Sequence, residues 1–479
     1  MKAISTVFGR DEPVKYLNEL LKSNKSSFTV IYGRRRVGKT FLIREHLKEQ
    51  IAFDFTGAYE TETSIQLNNF FDVYLKVTKG QIESKPPKNW HEAFGFLAKY
   101  LDTLNKNKKH VVFIDELPWL DNHKSGLVSA LAYFWNQHAS QMKHIMLLVC
   151  GSATSWMRKK IILAKGGLYN RVTDQIKLEP FNLRETEAFL KHKGINFTRF
   201  QIIELYMCTG GIPFYLEQIQ RGMSAPQVID SLFFDKTSVL YHEFERLYPS
   251  IFNQAQNHVA IIEALAAKPR GMLRKDLVAA SGLTDGGIFT RTIMELEESG
   301  FINFYQPLFK KKKNTIYKLA DFYSLFYCKF VKNNKHNGAG TWQKLGQSAS
   351  YLAWSGYAYE NVCYHHIKNV KQALGISGIF SNTASWSFVG NDELPATQID
   401  LLIDREDRII NICEVKFSAN PYVVTKDYAG KLRTKQMVLE QVTKTKKNIQ
   451  NILISTYPAL QNAYYLEQID REINMESLF

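Results

Sequence analysis

An α/β fold with a buried parallel sheet is what this chain predicts, and three stretches predict it. Phe28-Thr-Val-Ile-Tyr32 is apolar and β-branched, and a run with helical apolar spacing, Phe41-Leu-Ile-Arg-Glu-His-Leu47, follows it closely. His110-Val-Val-Phe-Ile-Asp-Glu116 is a second apolar strand, ending in two acids. His144-Ile-Met-Leu-Leu-Val-Cys-Gly-Ser152 is a third, ending in a hydroxyl. Ligands of open α/β sheets bind beyond the carboxyl ends of such strands, so the residues closing each strand are the candidates for chemistry.

The junction after the first strand, Gly33-Arg-Arg-Arg-Val-Gly-Lys-Thr40, fits G-x-x-x-x-G-K-[ST] at every fixed position, between a strand and a helix as the pattern requires. Gly33 and Gly38 let the backbone curl so that its N–H groups face phosphate oxygens, and the helix N-terminus adds partial positive charge. The run from Gly33 through Arg34, Arg35, Arg36, Val37, Gly38, Lys39 and Thr40 to Phe41 is therefore expected to bind ATP. Lys39 is expected to reach the β- and γ-phosphates and Thr40 to hold Mg²⁺. At the second strand end Asp115 is expected to hold the same Mg²⁺ and Glu116 to act as general base toward the attacking water. Ser152 is placed either to hydrogen-bond the γ-phosphate or attacking water, or to cap the helix starting near Thr154. Gly166-Gly-Leu-Tyr-Asn-Arg171 reads as a flexible loop carrying a guanidinium; Arg171 either stabilises transition-state charge, in its own or a neighbouring subunit, or is solvated.

At 479 residues the chain is too long for one core. No uncharged apolar run approaches the roughly 18 residues of a membrane span, and Met1-Lys-Ala-Ile-Ser-Thr6 lacks a signal-peptide core, so a cytoplasmic protein without membrane contact is expected. The five cysteines are scattered and never spaced as C-x-x-C, which speaks for buried thiols and against a zinc site. Lys plus Arg is 61 against 46 for Asp plus Glu, a net +15 that favours a polyanionic partner, DNA in particular.

Residues from about Pro180 to Tyr248 are helical in pattern, with Asn182-Leu-Arg-Glu185 as a capping box. Three helices and a hairpin follow. The helices are expected over Asn257–Ala266, Leu273–Ser281 and Gly286–Ser299, and the hairpin strands over Phe301–Tyr305 and Thr315–Leu319, a winged helix-turn-helix pattern. The hairpin tip, Lys310-Lys-Lys-Lys313, suits phosphate contacts or a solvated turn. Asp321–Val331 reads as an aromatic core helix and Asn333–Gly340 as a linker.

Beyond it, Gly356–Ile367 is a helix bearing Glu360, and Gln398–Asp404 and Ile409–Phe417 form a β-hairpin. Glu414 and Lys416, two apart on one strand, share a face and point toward Asp400 on the other. Two carboxylates and a lysine suit Mg²⁺ and a water nucleophile, with Lys416 orienting or deprotonating the water. His365 and His366, adjacent on a helix, do not share a face and are read as structural. Gln436, on a later basic helix, is a further candidate.

The motifs Gly33–Thr40, Phe113-Ile-Asp-Glu-Leu-Pro-Trp119, Gly151-Ser-Ala153, Gly166–Arg171 and Gly210-Gly-Ile-Pro-Phe-Tyr-Leu216 stand in the order seen in the archaeal-type ATPases, AAA+-like and STAND-related P-loop NTPases, which the chain resembles. The resemblance implies an ASCE sheet of strand order 5-1-4-3-2 with a helical lid. It also implies that Pro213 packs near the adenine and that Arg10, in Phe8-Gly-Arg-Asp-Glu12, borders it; Arg10 otherwise reads as a surface charge. Residues from about 350 to 460 resemble the PD-(D/E)XK nuclease core and the C-terminal domain called DUF234 that accompanies this ATPase family, with Glu360 in the helical acid position and Glu360, Asp400 and Glu414 as metal ligands. The expected architecture is a P-loop ATPase core (1–180), a helical lid (181–250), a winged helix (251–320), a helix and linker (321–349) and an α/β restriction-endonuclease-like domain (350–479). A possible homo-oligomer completes the expectation. Three functions fit it: an ATPase coupled to a nuclease, a nucleotide switch with a latent C-terminal domain, or a DNA-binding regulator.

Overall fold

The strands β1 (Ser27–Tyr32), β2 (Ile51–Thr56), β3 (His110–Asp115), β4 (Ile145–Gly151) and β5 (Asp174–Lys177) form one parallel sheet in the order β2-β3-β4-β1-β5. Read from the other edge this is 5-1-4-3-2, the order the resemblance implied. These assignments come from a computed structural model that describes residues 7–80, 85–305 and 315–479. The chain divides into two units, Met1–Pro180 and Phe181–Phe479, and the parallel sheet belongs to the first. Every residue of β1 and β4 is buried, as central strands covered on both faces must be. Helices Thr63–Thr78, Trp90–Asp102 and Leu127–Gln137 contribute Phe70, Trp90, Phe94 and Phe134 to the core over Phe53 and Phe55. Because β4 lies between β1 and β3 and all run the same way, Gly33, Asp115–Glu116 and Ser152 come to one edge of the sheet.

The second unit opens with helices, among them Leu183–His192 and Arg199–Thr209. The first has the expected capping box between Asn182 and Glu185, and the second has another between Thr198 and Gln201. Helices Ala255–Ala267, Arg274–Ser281 and Gly287–Glu298 follow. With them goes a small antiparallel sheet of β6 (Met272–Leu273), β7 (Ile302–Tyr305) and β8 (Ile316–Leu319) in the order β6-β8-β7. The expected lysine tip, Lys310–Lys313, lies outside the described residues.

Two expectations are corrected next. Asp321–Val331 is not one regular helix: Phe322–Phe326 is α-helical and Tyr327–Val331 widens into a π-helical turn, closed by Lys332 N–H on Tyr327 C=O. The widened turn lets Tyr327 stack on Phe244, ring centres 4.3 Å apart. Asn333–Gly340 is not a free linker either. Buried Asp230 accepts from the N–H groups of Gly340 (2.9 Å) and Trp342 (2.7 Å), fixing the segment's exit.

The last sheet runs β13 (Arg471–Asn474), β12 (Asn448–Ser455), β11 (Ile409–Lys416), β10 (Thr397–Arg405), β9 (Ser381–Phe388) in that spatial order. The β9–β10–β11 pairs are antiparallel and the β11–β12–β13 pairs parallel. Val438 and Leu439 of helix Lys426–Thr443 pack against Ile399, Leu402, Ile410 and Ile412. Among the described residues no helix is long and apolar enough to cross a membrane.

Candidate functional site

In the first unit the site grows from the turn after β1. Gly33 has φ +145°, and a Cβ there would stand 2.2 Å from the carbonyl oxygen of Leu178, so only glycine fits. Gly38 and Arg36 also take left-handed φ values, +87° and +70°, which curl the loop before helix Lys39–His46. Lys39 is buried, and its ammonium donates to the carbonyls of Gly33 and Arg34, both at 2.9 Å. Desolvation lowers its pKa, while Glu116 opposes that shift. The Thr40 hydroxyl donates to Asp115 Oδ2 at 2.8 Å, and the Cys150 thiol donates to Oδ1 of the same buried carboxylate at 2.6 Å. Burial, then Asp115, push the Cys150 thiol well above its usual range.

Glu116 sits in the left-handed region at φ +45°, a strain of about 1–2 kcal/mol for an L-residue. Its carboxylate accepts both the N–H and the Oγ–H of Ser152 on Oε2, each at 3.0 Å. Ser152 therefore holds Glu116, and its side chain does not cap the short helix Thr154–Met157. Arg10 is not a surface charge: it is buried, and its guanidinium donates to the carbonyls of Val37 (2.8 Å) and Glu179 (2.9 Å), tying the loop to the chain after β5. Arg35 is half-buried, Phe41 is 54% exposed, and Arg171 is exposed at the end of its loop. Pro213 lies in the second unit, where it opens helix Pro213–Glu217; Gly211 just before it bonds through its carbonyl to Phe181 N–H at 2.9 Å.

The second cluster is in the C-terminal sheet. The antiparallel register of β10 and β11 ends with Leu401 opposite Cys413, and Asp400 and Glu414 are the next residues on the two strands. The register with β9 shifts between Ile399 and Leu402, and both of those face the same core, so Asp400 and Leu401 together occupy a bulge. Asp400 accepts from Gln398 Nε2 at 2.6 Å. Glu414 is buried; Tyr428 donates its hydroxyl to Oε2 at 2.5 Å, and Lys435 forms an ion pair at Oε1. The Lys416 ammonium lies over the rings of Tyr428 (4.4 Å) and Tyr422 (5.7 Å), and burial lowers its pKa. Glu360 on helix Ala349–His365 is pushed up to about 7 by burial and then by Asp400.

Among the described residues no group of three or more His, Cys, Asp or Glu is gathered closely enough to hold a metal ion. Glu360, Asp400 and Glu414 instead interact with the ammonium groups of Lys318, Lys416 and Lys435. The direct partners of Glu414 are Tyr428 and Lys435, and among the described residues no contact of Gln436, the residue after Lys435, to the acids is seen. His366 bonds Val362 C=O through Nδ1 at 2.9 Å and accepts from Leu183 N–H on Nε2 at 3.0 Å, a structural role.

Residues 7–219 match the profile of a family described as an ATPase domain predominantly from Archaea. That region is an archaeal-type ATPase domain. An uncharacterised protein of Methanocaldococcus jannaschii is 25% identical over 412 residues, covering 85% of this chain and 87% of its own. An uncharacterised ATP-binding protein of the same organism is 38% identical over 50 residues, 10% of this chain and 85% of its own. Among solved structures, the Walker-type ATPase of Pyrococcus abyssi is similar with a TM-score of 0.48 at 19% identity, covering 67% of this chain and 96% of that one.

Proposed function

We propose that the N-terminal domain binds and hydrolyses Mg²⁺-ATP and that this cycle governs a nuclease-like C-terminal domain acting on DNA. The observation that carries the first half is the network at the sheet edge, in which Lys39, Thr40, Asp115, Glu116 and Ser152 converge from three adjacent strand ends. The residues fit the ligand. A buried ammonium bonded only to carbonyls favours an arriving anion, and Lys39 is such a group. The loop N–H groups and Lys39 would bind the phosphates, and Thr40 and Asp115 would hold Mg²⁺, which supplies charge neutralisation there. Glu116 takes the proton of the attacking water, and Ser152 keeps its carboxylate aimed. Arg10 fixes the loop, and Arg171 is available to a neighbouring copy. The ATP-binding relative supports the nucleotide. The test is Glu116→Gln in the purified protein: turnover falls by about 10²–10⁴ while ATP binding persists. Wild-type turnover in that variant overturns the assignment.

The C-terminal half of the reading rests on Asp400 and Glu414 following the last paired residues of β10 and β11, with Lys416 two residues on and Glu360 interacting with them. The basic excess of the chain supports a nucleic-acid partner. One observation favours a gated domain over a constitutive nuclease: both oxygens of Glu414 already have partners. Cleavage of plasmid and single-stranded DNA with Mg²⁺, with and without ATP and with Glu414→Ala as control, separates the two. Nucleotide-dependent cleavage supports gating, and no cleavage under any nucleotide leaves a switch whose nuclease-like domain is not catalytic.

A further inference from the structure

The acidic cluster of the C-terminal sheet is electrically closed by a residue that does not belong to that sheet. Glu360, Asp400 and Glu414 interact with three lysines from three different elements: Lys416 on β11, Lys435 on helix Lys426–Thr443, and Lys318 on β8 of the small sheet. The contact has a helical period. Tyr357, Glu360 and Tyr364 stand at i, i+3 and i+7 on helix Ala349–His365 and so share one stripe. Each meets the three-helix, three-strand region before it. The Arg270 guanidinium lies 5.7 Å from the centre of the Tyr357 ring, the charges of Glu360 and Lys318 act on each other, and the Tyr305 ring meets Tyr364 edge-on at 4.6 Å. A cavity of about 210 Å³ remains between the two sheets, with Lys318 and Asp400 both on its wall.

The three lysines are not equally held. Lys435 is ion-paired to Glu414, and Lys416 rests on two tyrosine rings. The Lys318 ammonium has no hydrogen bond or ion pair among the described residues; burial costs it charge stability, and Glu360 and then Asp400 restore part of it. A divalent cation added to acids that already face three ammonium groups would raise the positive charge of a partly desolvated pocket, which the low local dielectric penalises. Lys416 and Lys435 belong to the C-terminal sheet and the helix against it, whereas Lys318 is carried on a different sheet.

We propose that Lys318 is the resident counter-ion of the C-terminal acids, and that the small sheet carrying it is the cover a divalent cation must displace to enter. This rests on the nuclease-like reading of those acids. The experiment is Mn²⁺ binding to the nucleotide-free full chain, followed by electron paramagnetic resonance, in wild type, Lys318→Met, Lys318→Arg and Tyr364→Ala. Lys318→Met is expected to bind Mn²⁺ at least tenfold more tightly than wild type, and Lys318→Arg like wild type. Adding Glu414→Gln to Lys318→Met is expected to abolish the gain. Tyr364→Ala loosens the same contact without removing a charge and is expected to shift affinity the same way, which keeps the test alive should Lys318→Met fold poorly. Equal Mn²⁺ affinity in wild type, Lys318→Met and Tyr364→Ala overturns the proposal, whether or not DNA is cut. Tight Mn²⁺ binding by Lys318→Met without cleavage of any DNA upholds the cover and sinks the nuclease reading instead.

Discussion

At the scale of single residues, His366 shows how a buried ring becomes a stability switch. Its Nε2 accepts the Leu183 N–H in the first turn of helix Leu183–His192, which requires the neutral ring. Burial, and then His365, lower its pKa from 6.5 to about 4. A histidine whose folded pKa is depressed contributes stability that is fully present above the unfolded value and lost as pH falls through the folded one. The second unit should therefore lose up to roughly 3 kcal/mol between about pH 6.5 and 4. Urea unfolding of His366→Gln, whose amide oxygen can accept the same N–H, should show a flatter pH profile over that window; an unchanged profile would refute the role. The same scale shows what a sequence can and cannot reveal. Lys39, Thr40, Asp115 and Glu116 were legible because a loop and a strand end impose fixed local spacing. Lys435 and Tyr428 were not, since only tertiary packing brings them to Glu414. One signal was present: they are seven apart, hence on one face of a helix, whereas Gln436 is turned about 100° away. Arg10 was readable as a residue but not as a buried clamp, because its partners are backbone carbonyls that carry no sequence signature.

At the scale of elements, the loop after β1 makes two glycines unequal. A Cβ on Gly33 would meet a backbone carbonyl oxygen at 2.2 Å, and that oxygen belongs to Leu178, whose N–H bonds Tyr32 C=O at 2.8 Å. A Cβ on Gly38 meets nothing within 4 Å, and only its φ of +87° resists a side chain. Gly33→Ala should then destabilise the first unit by roughly 3 kcal/mol or more through forced displacement of the strand-to-loop junction, and Gly38→Ala by about 1–2 kcal/mol of backbone strain. Urea midpoints of the two variants check this, and equal losses would contradict it. The strands themselves were legible in proportion to burial. β1, β3 and β4 are continuous apolar runs. β9, Ser381–Phe388, is rich in Ser, Thr and Asn, β12 begins with the polar Asn-Ile-Gln-Asn, and β13 is four residues long. Their side chains take their environment from neighbouring strands, so their own patterns say little. The bulge at Asp400 was hidden for the same reason, since in Gln398-Ile-Asp-Leu-Leu-Ile-Asp404 the alternation breaks into three apolar residues that a strand buried on both faces would also show, until Ile399 and Leu402 are seen on one core.

At the scale of the whole molecule, Arg10 is committed to two carbonyls, and Arg171 is exposed at the end of a loop whose Gly166 and Gly167 are themselves exposed. Leu168, buried in the domain core, anchors that loop from below, so Arg171 is presented outward rather than trailing free. An outward guanidinium on a glycine-rich loop is placed to stabilise transferring phosphate in a second copy of the chain, or in its own copy if the loop folds back. Arg171→Ala should bind ATP normally, since it touches none of the loop, and should lose most of its turnover. Lys39→Ala should lose turnover through its own defective loop while still presenting Arg171. In mixed assemblies of the two, the intact loop of Arg171→Ala meets the intact Arg171 of Lys39→Ala, and turnover should return to a quarter to a half of the wild-type rate when the subunits are equal in number. The assembly is verified by light scattering under the assay conditions. Mixed assemblies that remain as inactive as either parent would remove Arg171 from a role across subunits, and a fully active Arg171→Ala would remove it from catalysis altogether.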